Sequence, residues 1–260
     1  MSSKFKFPLI LSIIAFGFTL QSEASLLECL GKMNDRATGR ERTTPMNIEL
    51  RASAIGTEIT AEVRAMGMMP RGSAVATSSG ILAQKGITQI IHAASGSMGL
   101  DGRNFGPSLD GVVKSVMNSL ELARRNGHKR VALPFIGGKI FVERIGIPAQ
   151  ELAKAIVDNA MIHRGDLELR IVTFGSEDTS LFTTAMAPYR TLVPSKTVDV
   201  VDGSITDFNL HGATAIVNAA NMEVIFGGGL SGVIARASGQ ADAINAEAQK
   251  TIKEFYQGHE

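Results

Sequence analysis

The segment from 213 to 221 reads ATAIVNAAN, and three consecutive glycines, Gly227, Gly228 and Gly229, follow after a five-residue gap. A short, unbroken apolar run ending in two amides fits a strand buried on both faces of a parallel sheet. Beyond the glycines, Leu230, Val233, Ile234 and Ala237 recur at helical spacing, so the triplet opens a helix. A strand, a glycine-rich turn and a helix N-terminus in succession present unpaired backbone N–H groups to an anion, and phosphate is the ligand class they suit. Three adjacent glycines cost more to order than a plain surface turn requires, which weighs against that alternative. Gly227, Gly229 and Gly232 also spell G-x-G-x-x-G. That fingerprint is weak here, because five residues separate the strand from the first glycine and no later strand ends in an acidic residue.

The rest of the chain can support such a site. Its 260 residues, 44% hydrophobic and 20% charged, suffice for one sizeable domain or two small ones. A net charge of +1 with no long basic run gives no reason to expect a nucleic-acid partner. Cys29 is the only cysteine, so internal disulfides and paired-cysteine zinc sites are excluded. The five histidines, His92, His128, His163, His211 and His259, show no ligand spacing, and no metal or cofactor is expected. At the N-terminus, Lys4 and Lys6 precede an apolar run over 7–20, then small residues up to Ala24. This reads as an export signal, residues 1–24, cut after Ala24; the run is short for a membrane span. The product is expected to be periplasmic or secreted, without stable membrane association. Residues 25–47 read as an irregular polar leader.

From 48 onward, strand and helix patterns alternate. A strand is expected over 48–54 and a helix over 57–66, with Ile59, Val63 and Met66 on one face. Strands follow at 72–77 and 87–93 around a turn holding Leu82, with His92 read as structural. A helix over 109–125 carries Val113, Val116, Met117, Leu120 and Ala123 and stops at Asn126–Gly127. A strand at 129–134, a helix from Ile147–Pro148 and a strand at 167–174 come next. Residues 187–195, with two prolines and no periodicity, read as a linker. The chain closes with a helix over 240–256, bearing Ala243, Ile244, Ala248, Ile252 and Phe255.

Asn218-Ala219-Ala220-Asn221 with its glycine triplet resembles the ADP-ribose-binding loop of macrodomains. The segment VDVVDGSIT at 198–206 resembles that family's first strand and G-D-I-T turn. The strands around 72–77 and 90–93 and the loop from Pro134 to Phe141 resemble the middle of the domain and its second phosphate loop. The resemblance implies a three-layer α/β/α fold with a mixed central sheet, binding ADP-ribose or ADP-ribosylated protein, as a monomer. It assigns Asp202, Ser204 and Ile205 to the adenine end. Asn218, Asn221, Gly227, Gly228, Gly229, Leu230 and Ser231 form the first loop. Gly137, Gly138, Lys139, Ile140 and Phe141 form the second, with Phe141 packed on the distal ribose. Phe174 is the candidate to stack on adenine, with Phe182 as fallback, and Asn221 is the catalytic candidate.

Three positions depart from the family. Lys139 stands where glycine is usual. Ser204 replaces the acidic residue of G-D-I-T, with Asp202 two residues earlier and, by strand alternation, on the same face. Ser231 and Ala235 replace the Asp and His of a hydrolase subgroup, and serine cannot act as a carboxylate base. Mono-ADP-ribosyl or ADP-ribose ester hydrolysis, non-catalytic reading and binding of another nucleotide diphosphate all stay open. The family's usual order puts the G-D-I-T and N-A-A-N half first. Here it comes last, which implies circular permutation: 48–186 as the family's C-terminal half, 187–195 as the join, and 196–260 as its N-terminal half. Two partial domains in tandem and an exchange of segments between chains are the rival readings.

Overall fold

The computed structural model describes residues 67–96 and 106–256. The chain divides into two units, Met1–Ala54 and Ile55–Glu260, and every described residue belongs to the second. The segments expected to form an export signal, a leader with Cys29, a strand over 48–54 and a helix over 57–66 lie outside the described residues. In chain order the elements are β1 (Ala74–Ser78), a 3₁₀ turn (Gly80–Lys85), β2 (Gln89–Ala94), α1 (Leu109–Arg125), β3 (Arg130–Pro134), a 3₁₀ turn (Lys139–Phe141) and α2 (Val142–Ile145). Then come α3 (Ala149–His163), β4 (Glu168–Thr173), α4 (Ser176–Met186), a 3₁₀ turn (Ala187–Tyr189), β5 (Val198–Asp202), α5 (Phe208–His211), β6 (Ala215–Ala220), α6 (Gly229–Ser238) and α7 (Ala241–Tyr256).

The six strands among the described residues form one sheet, ordered β1-β2-β6-β3-β4-β5. Only β1 runs antiparallel to its neighbour; the other pairings are parallel. The strand that comes last in sequence, β6, sits between β2 and β3, and β5 forms an edge. The strands beyond residue 195 thus belong to the same sheet as those before it.

Side-chain alternation splits the core into two layers. Ile91, Val217, Leu133 and Ile171 point to one face, where Val112, Val116 and Leu120 of α1, Leu152 and Ile156 of α3 and Phe182 of α4 meet them. Their sequence neighbours Ile90, Ile216, Ala132 and Val172 point to the other, against Leu82, Ile234 of α6 and Ile244 of α7. Burying each large aliphatic side chain stabilises by about 1.5–3 kcal/mol, so both layers are needed to hold the sheet. The result is a three-layer α/β/α fold with a mixed sheet. A smaller cluster of Met69, Val75, Met222, Ala248 and Ile252 seals α7 against the β1 edge.

The α1 helix shows how local chemistry sets boundaries. The Ser108 hydroxyl accepts from the Gly111 amide at 3.1 Å, a cap worth about 1 kcal/mol. Asp110 in the first turn and Arg124 and Arg125 in the last complement the helix dipole. By contrast, α4 escapes a reading of periodicity: its polar opening, Ser176 to Ser180, resembles a loop, and Thr183 and Thr184 are weak helix formers. The stretch read as a linker is tied down rather than free. The Tyr189 hydroxyl donates to Asp158 at 2.9 Å, and Arg190 donates to the Val198 carbonyl at 3.1 Å and to Asp199 at 3.0 Å.

Candidate functional site

A cleft of about 540 Å³ opens at the C-terminal ends of β3, β4 and β5, the side of a parallel sheet where α/β ligands dock. Its lining comes from five places. Phe135 and Lys139 belong to the loop after β3, Thr173 and Phe174 to the end of β4, and Gly203, Ser204 and Ile205 to the turn after β5. Gly229, Leu230, Val233 and Arg236 run along one face of α6, and Asp178 comes from the first turn of α4.

Both glycine-rich segments thus reach the same cleft. In the first, Gly228 caps α6 with extended backbone, and the Gly232 amide makes a helical bond to the Gly228 carbonyl at 3.3 Å. The amides of Gly229, Leu230 and Ser231 precede that bond and are the orphan donors of the helix start. Gly227, Gly228 and Gly229 are exposed. Gly232 cannot be replaced freely, because a Cβ there would lie 2.7 Å from the Gly227 carbonyl oxygen. In the second segment Gly137 is buried, with φ at +76°, and a Cβ would meet Ile145 and Val112 at 2.9 Å each. Lys139 has φ at +58°, a strained conformation for a residue with a side chain. Its Nζ lies 3.2 Å from Asp178 Oδ2, and that carboxylate is only 10% exposed.

The aromatic positions sort clearly. Phe174 is 75% exposed on the cleft, as a stacking platform must be. Phe182, the fallback, is corrected: it is fully buried, edge-on to Phe135 with ring centroids 4.9 Å apart. Phe141 is half-buried, outside the cleft lining, and of Ile140 only the backbone turn is described. The pairing of Asp202 with Ser204 on one face is also corrected. The strand stops at Asp202, so alternation does not carry through Gly203. Ser204 lines the cleft, hydrogen-bonded to Thr206 Oγ1 at 2.9 Å, whereas Asp202 is exposed and accepts from the Gly175 amide at 2.8 Å. Asp202 therefore anchors the residue next to Phe174.

Behind the cleft lies a buried polar chain. Asn218 on β6 stands opposite His92 on β2. The Asn218 Nδ2 donates to His92 Nδ1 at 3.1 Å and to Ser231 Oγ at 3.3 Å. His92 Nε2–H then donates to Thr77 Oγ1 at 2.9 Å, and the Thr77 hydroxyl donates to the Ser78 carbonyl at 3.0 Å. Turning the amide over would strand two donor hydrogens, whereas this arrangement leaves one acceptor, Asn218 Oδ1, without a partner. His92 is consequently neutral, and full burial lowers its pKa from 6.5 to about 3. The chain links Asn218 and Ser231, behind the cleft surface, to the sheet edge. A second neutral histidine, His211, donates to the Ile205 carbonyl at 2.9 Å and accepts from the Ala213 amide at 3.0 Å, fixing the turn that carries Ser204 and Ile205. Burial lowers the His211 pKa, against an opposing contribution from the Ile205 carbonyl.

Asn221 does not face the cleft lining. Its Nδ2 donates to the Ile225 carbonyl at 3.2 Å and its Oδ1 accepts from the Ile225 amide at 2.9 Å. Both ends of the amide clamp a turn in which Val224 takes φ at +52°. The cleft thus gathers Ser204, Ile205, Gly229, Leu230, Lys139 and Phe174, flanked by Gly227 and Gly228. Asn218, Asn221, Ser231, Gly137 and Gly138 support its walls from behind or beside. Arg236 and Asp178 are cleft residues that pattern reading missed. The spacing Leu230, Val233, Arg236 puts one helix face toward the cleft and was the available signal for the arginine. Among the described residues no group of three His, Cys, Asp or Glu side chains could hold a metal, and no helix is long and apolar enough to cross a membrane.

Residues 52–156, spanning β1 to β3 and the first half of α3, match the family model described as Macro domain. That segment is similar to macro domains, a family whose members generally bind ADP-ribose, and the three-layer fold with its mixed sheet is consistent with the fold of that family.

Proposed function

We propose that this chain binds ADP-ribose, free or attached to protein, in the cleft between the Gly229 helix start and the Phe135–Lys139 loop. The observation that carries this reading is the convergence of three features in one 540 Å³ cleft: unpaired helix-start amides, a second glycine loop and the exposed ring of Phe174. A cleft of this size suits a nucleotide-sized ligand. The diphosphate would sit at the amides of Gly229 to Ser231, and the base on Phe174. Recognition is favoured over turnover by two features. Asn221 spends its amide on its own loop, and the one carboxylate lining the cleft among the described residues, Asp178, is paired with Lys139.

Calorimetry with ADP-ribose, NAD and AMP tests the reading. ADP-ribose should bind tightest, and Phe174→Ala should weaken it about tenfold, the usual scale of lost base stacking, without lowering the melting temperature. No binding of ADP-ribose at millimolar concentration would overturn it. Release of ADP-ribose from modified protein by the wild type, abolished in Asn221→Ala, would replace recognition with hydrolysis.

Two further readings belong to this proposal. The chain is a circular permutation, supported by β6 lying between β2 and β3 although it follows both in sequence. A re-ordered chain with 196–256 placed ahead of 52–186 should keep its ADP-ribose affinity; loss of folding would count against it. The protein is exported, as the apolar run over 7–20 suggests; the mass of the mature chain should begin after Ala24, and an intact Met1 would refute that.

A further inference from the structure

The charges facing the cleft do not balance among the described residues. Lys139, Asp178 and Arg236 line it. Lys139 and Asp178 face each other at 3.2 Å, so that pair is largely self-neutralised. The Arg236 side chain has neither an ion pair nor a hydrogen bond with any described residue, and it is exposed. It sits in the second turn of α6, but its side chain does not project past the end of the cleft. Helical side chains lean toward the N-terminus, and this one lies back over Gly232. A Cβ on Gly232 would be 3.4 Å from Arg236 Nη1 and 2.7 Å from the Gly227 carbonyl oxygen, so guanidinium and glycine loop flank the same point. The absence of a side chain at 232 is what lets both approach.

We infer that Arg236 is a ligand-binding cation that reaches back along α6 to contact the diphosphate held at the Gly227–Gly229 loop. This rests on the proposed binding of ADP-ribose and adds a side-chain contact to a cradle otherwise built of backbone. A guanidinium beside the helix-start amides offers forked donors to phosphate oxygens, with a full charge where the helix end supplies only a partial one. The contact also explains why an arginine whose side chain has no partner among the described residues sits among the apolar positions Leu230 and Val233 on the cleft face.

Titrate wild type, Arg236→Gln and Arg236→Lys with ADP-ribose by calorimetry at low and high sodium chloride. Arg236→Gln should bind roughly tenfold or more weakly at low salt, with Arg236→Lys between it and the wild type. The wild type should lose affinity with salt more steeply than Arg236→Gln, because the screened charge is missing in the variant. Melting temperatures should coincide, since the side chain has no partner among the described residues to lose. Equal affinity and equal salt dependence in wild type and Arg236→Gln would overturn the role of Arg236 while leaving ADP-ribose binding intact. A wild type that fails to bind ADP-ribose at either salt concentration overturns both. An adventitious effect on folding would show as a lowered melting temperature, and Arg236→Lys folding normally yet binding no better than Arg236→Gln would restrict the contact to a guanidinium fork.

Discussion

The two glycine loops that meet at the cleft use the same residue for opposite purposes. At Gly227, Gly228 and Gly229 a Cβ would meet nothing within 4 Å. At Gly137 it would strike Ile145 and Val112, and at Gly138 it would lie 2.6 Å from the ring of Phe135. Packing explains the glycines of the second loop without reference to any ligand. It does not explain Gly227 or Gly228, where the protein itself leaves room for a side chain and φ at Gly228 is an ordinary −81°. Under the proposed binding of ADP-ribose, that room is for the ligand.

The sharpest way to break that contrast is to fill both loops. Gly137→Ala adds a left-handed strain of about 1–2 kcal/mol and overpacks two core side chains, so urea denaturation should show a loss of roughly 2–4 kcal/mol. Gly228→Ala should change stability by less than ~0.5 kcal/mol, yet weaken ADP-ribose binding severalfold, because the new methyl occupies ligand space. If Gly228→Ala unfolds the protein, or Gly137→Ala leaves it unharmed, the division of roles is wrong.

The first loop is braced by the polar chain through His92, whereas the second is braced by apolar contacts, and this difference should appear in acid. His92 is neutral when folded, with a pKa near 3, and titrates near its ordinary 6.5 when unfolded. Between those values the unfolded chain binds the extra proton, so stability is fully present above about pH 6.5 and falls as pH drops toward 3. The slope approaches ~1.4 kcal/mol per pH unit for one group, and His211, also lowered, adds to it in the same direction. His92→Gln, which cannot titrate, should flatten the pH dependence of the melting temperature over pH 4–6. An unchanged profile would mean that His92 is protonated in the folded state and that the Asn218 amide faces the other way.

How much of this could be read from sequence follows the same divide. The strand before the first loop, the helix over 109–125 and the glycine triplet are local: period, cap and turn chemistry specify them within a few residues. So the layers, the helix start and the exposed Phe174 at a strand end could be anticipated. What could not be anticipated depends on pairing across the sheet. Alternation suggested that Asp202 and Ser204 share a face, but the strand ends between them, a fact fixed by where β4 stops pairing with β5. Asn221 looked available for chemistry because sequence does not reveal that Ile225 folds back onto it. Arg236 stood in a helix already assigned a core face, and its lean toward Gly227 exists only once the helix is built.

Lys139 is where the two loops could be made alike. Glycine at 139 would accept the left-handed backbone that costs lysine about 1–2 kcal/mol. Against that stand a more flexible unfolded chain, about 0.5–1 kcal/mol, and the loss of a pair with a 64% exposed lysine, worth about 0–1 kcal/mol. These contributions nearly cancel, so Lys139→Gly should shift stability by less than ~1 kcal/mol. Binding is the discriminating measurement. Without Lys139 the Asp178 carboxylate faces the cleft uncompensated and repels a diphosphate, so ADP-ribose affinity should fall at low salt and recover part of the loss in Lys139→Gly/Asp178→Asn. A Lys139→Gly protein that binds as tightly as the wild type would show that the lysine is tolerated rather than used, and that the second loop, unlike the first, holds nothing for the ligand but its shape.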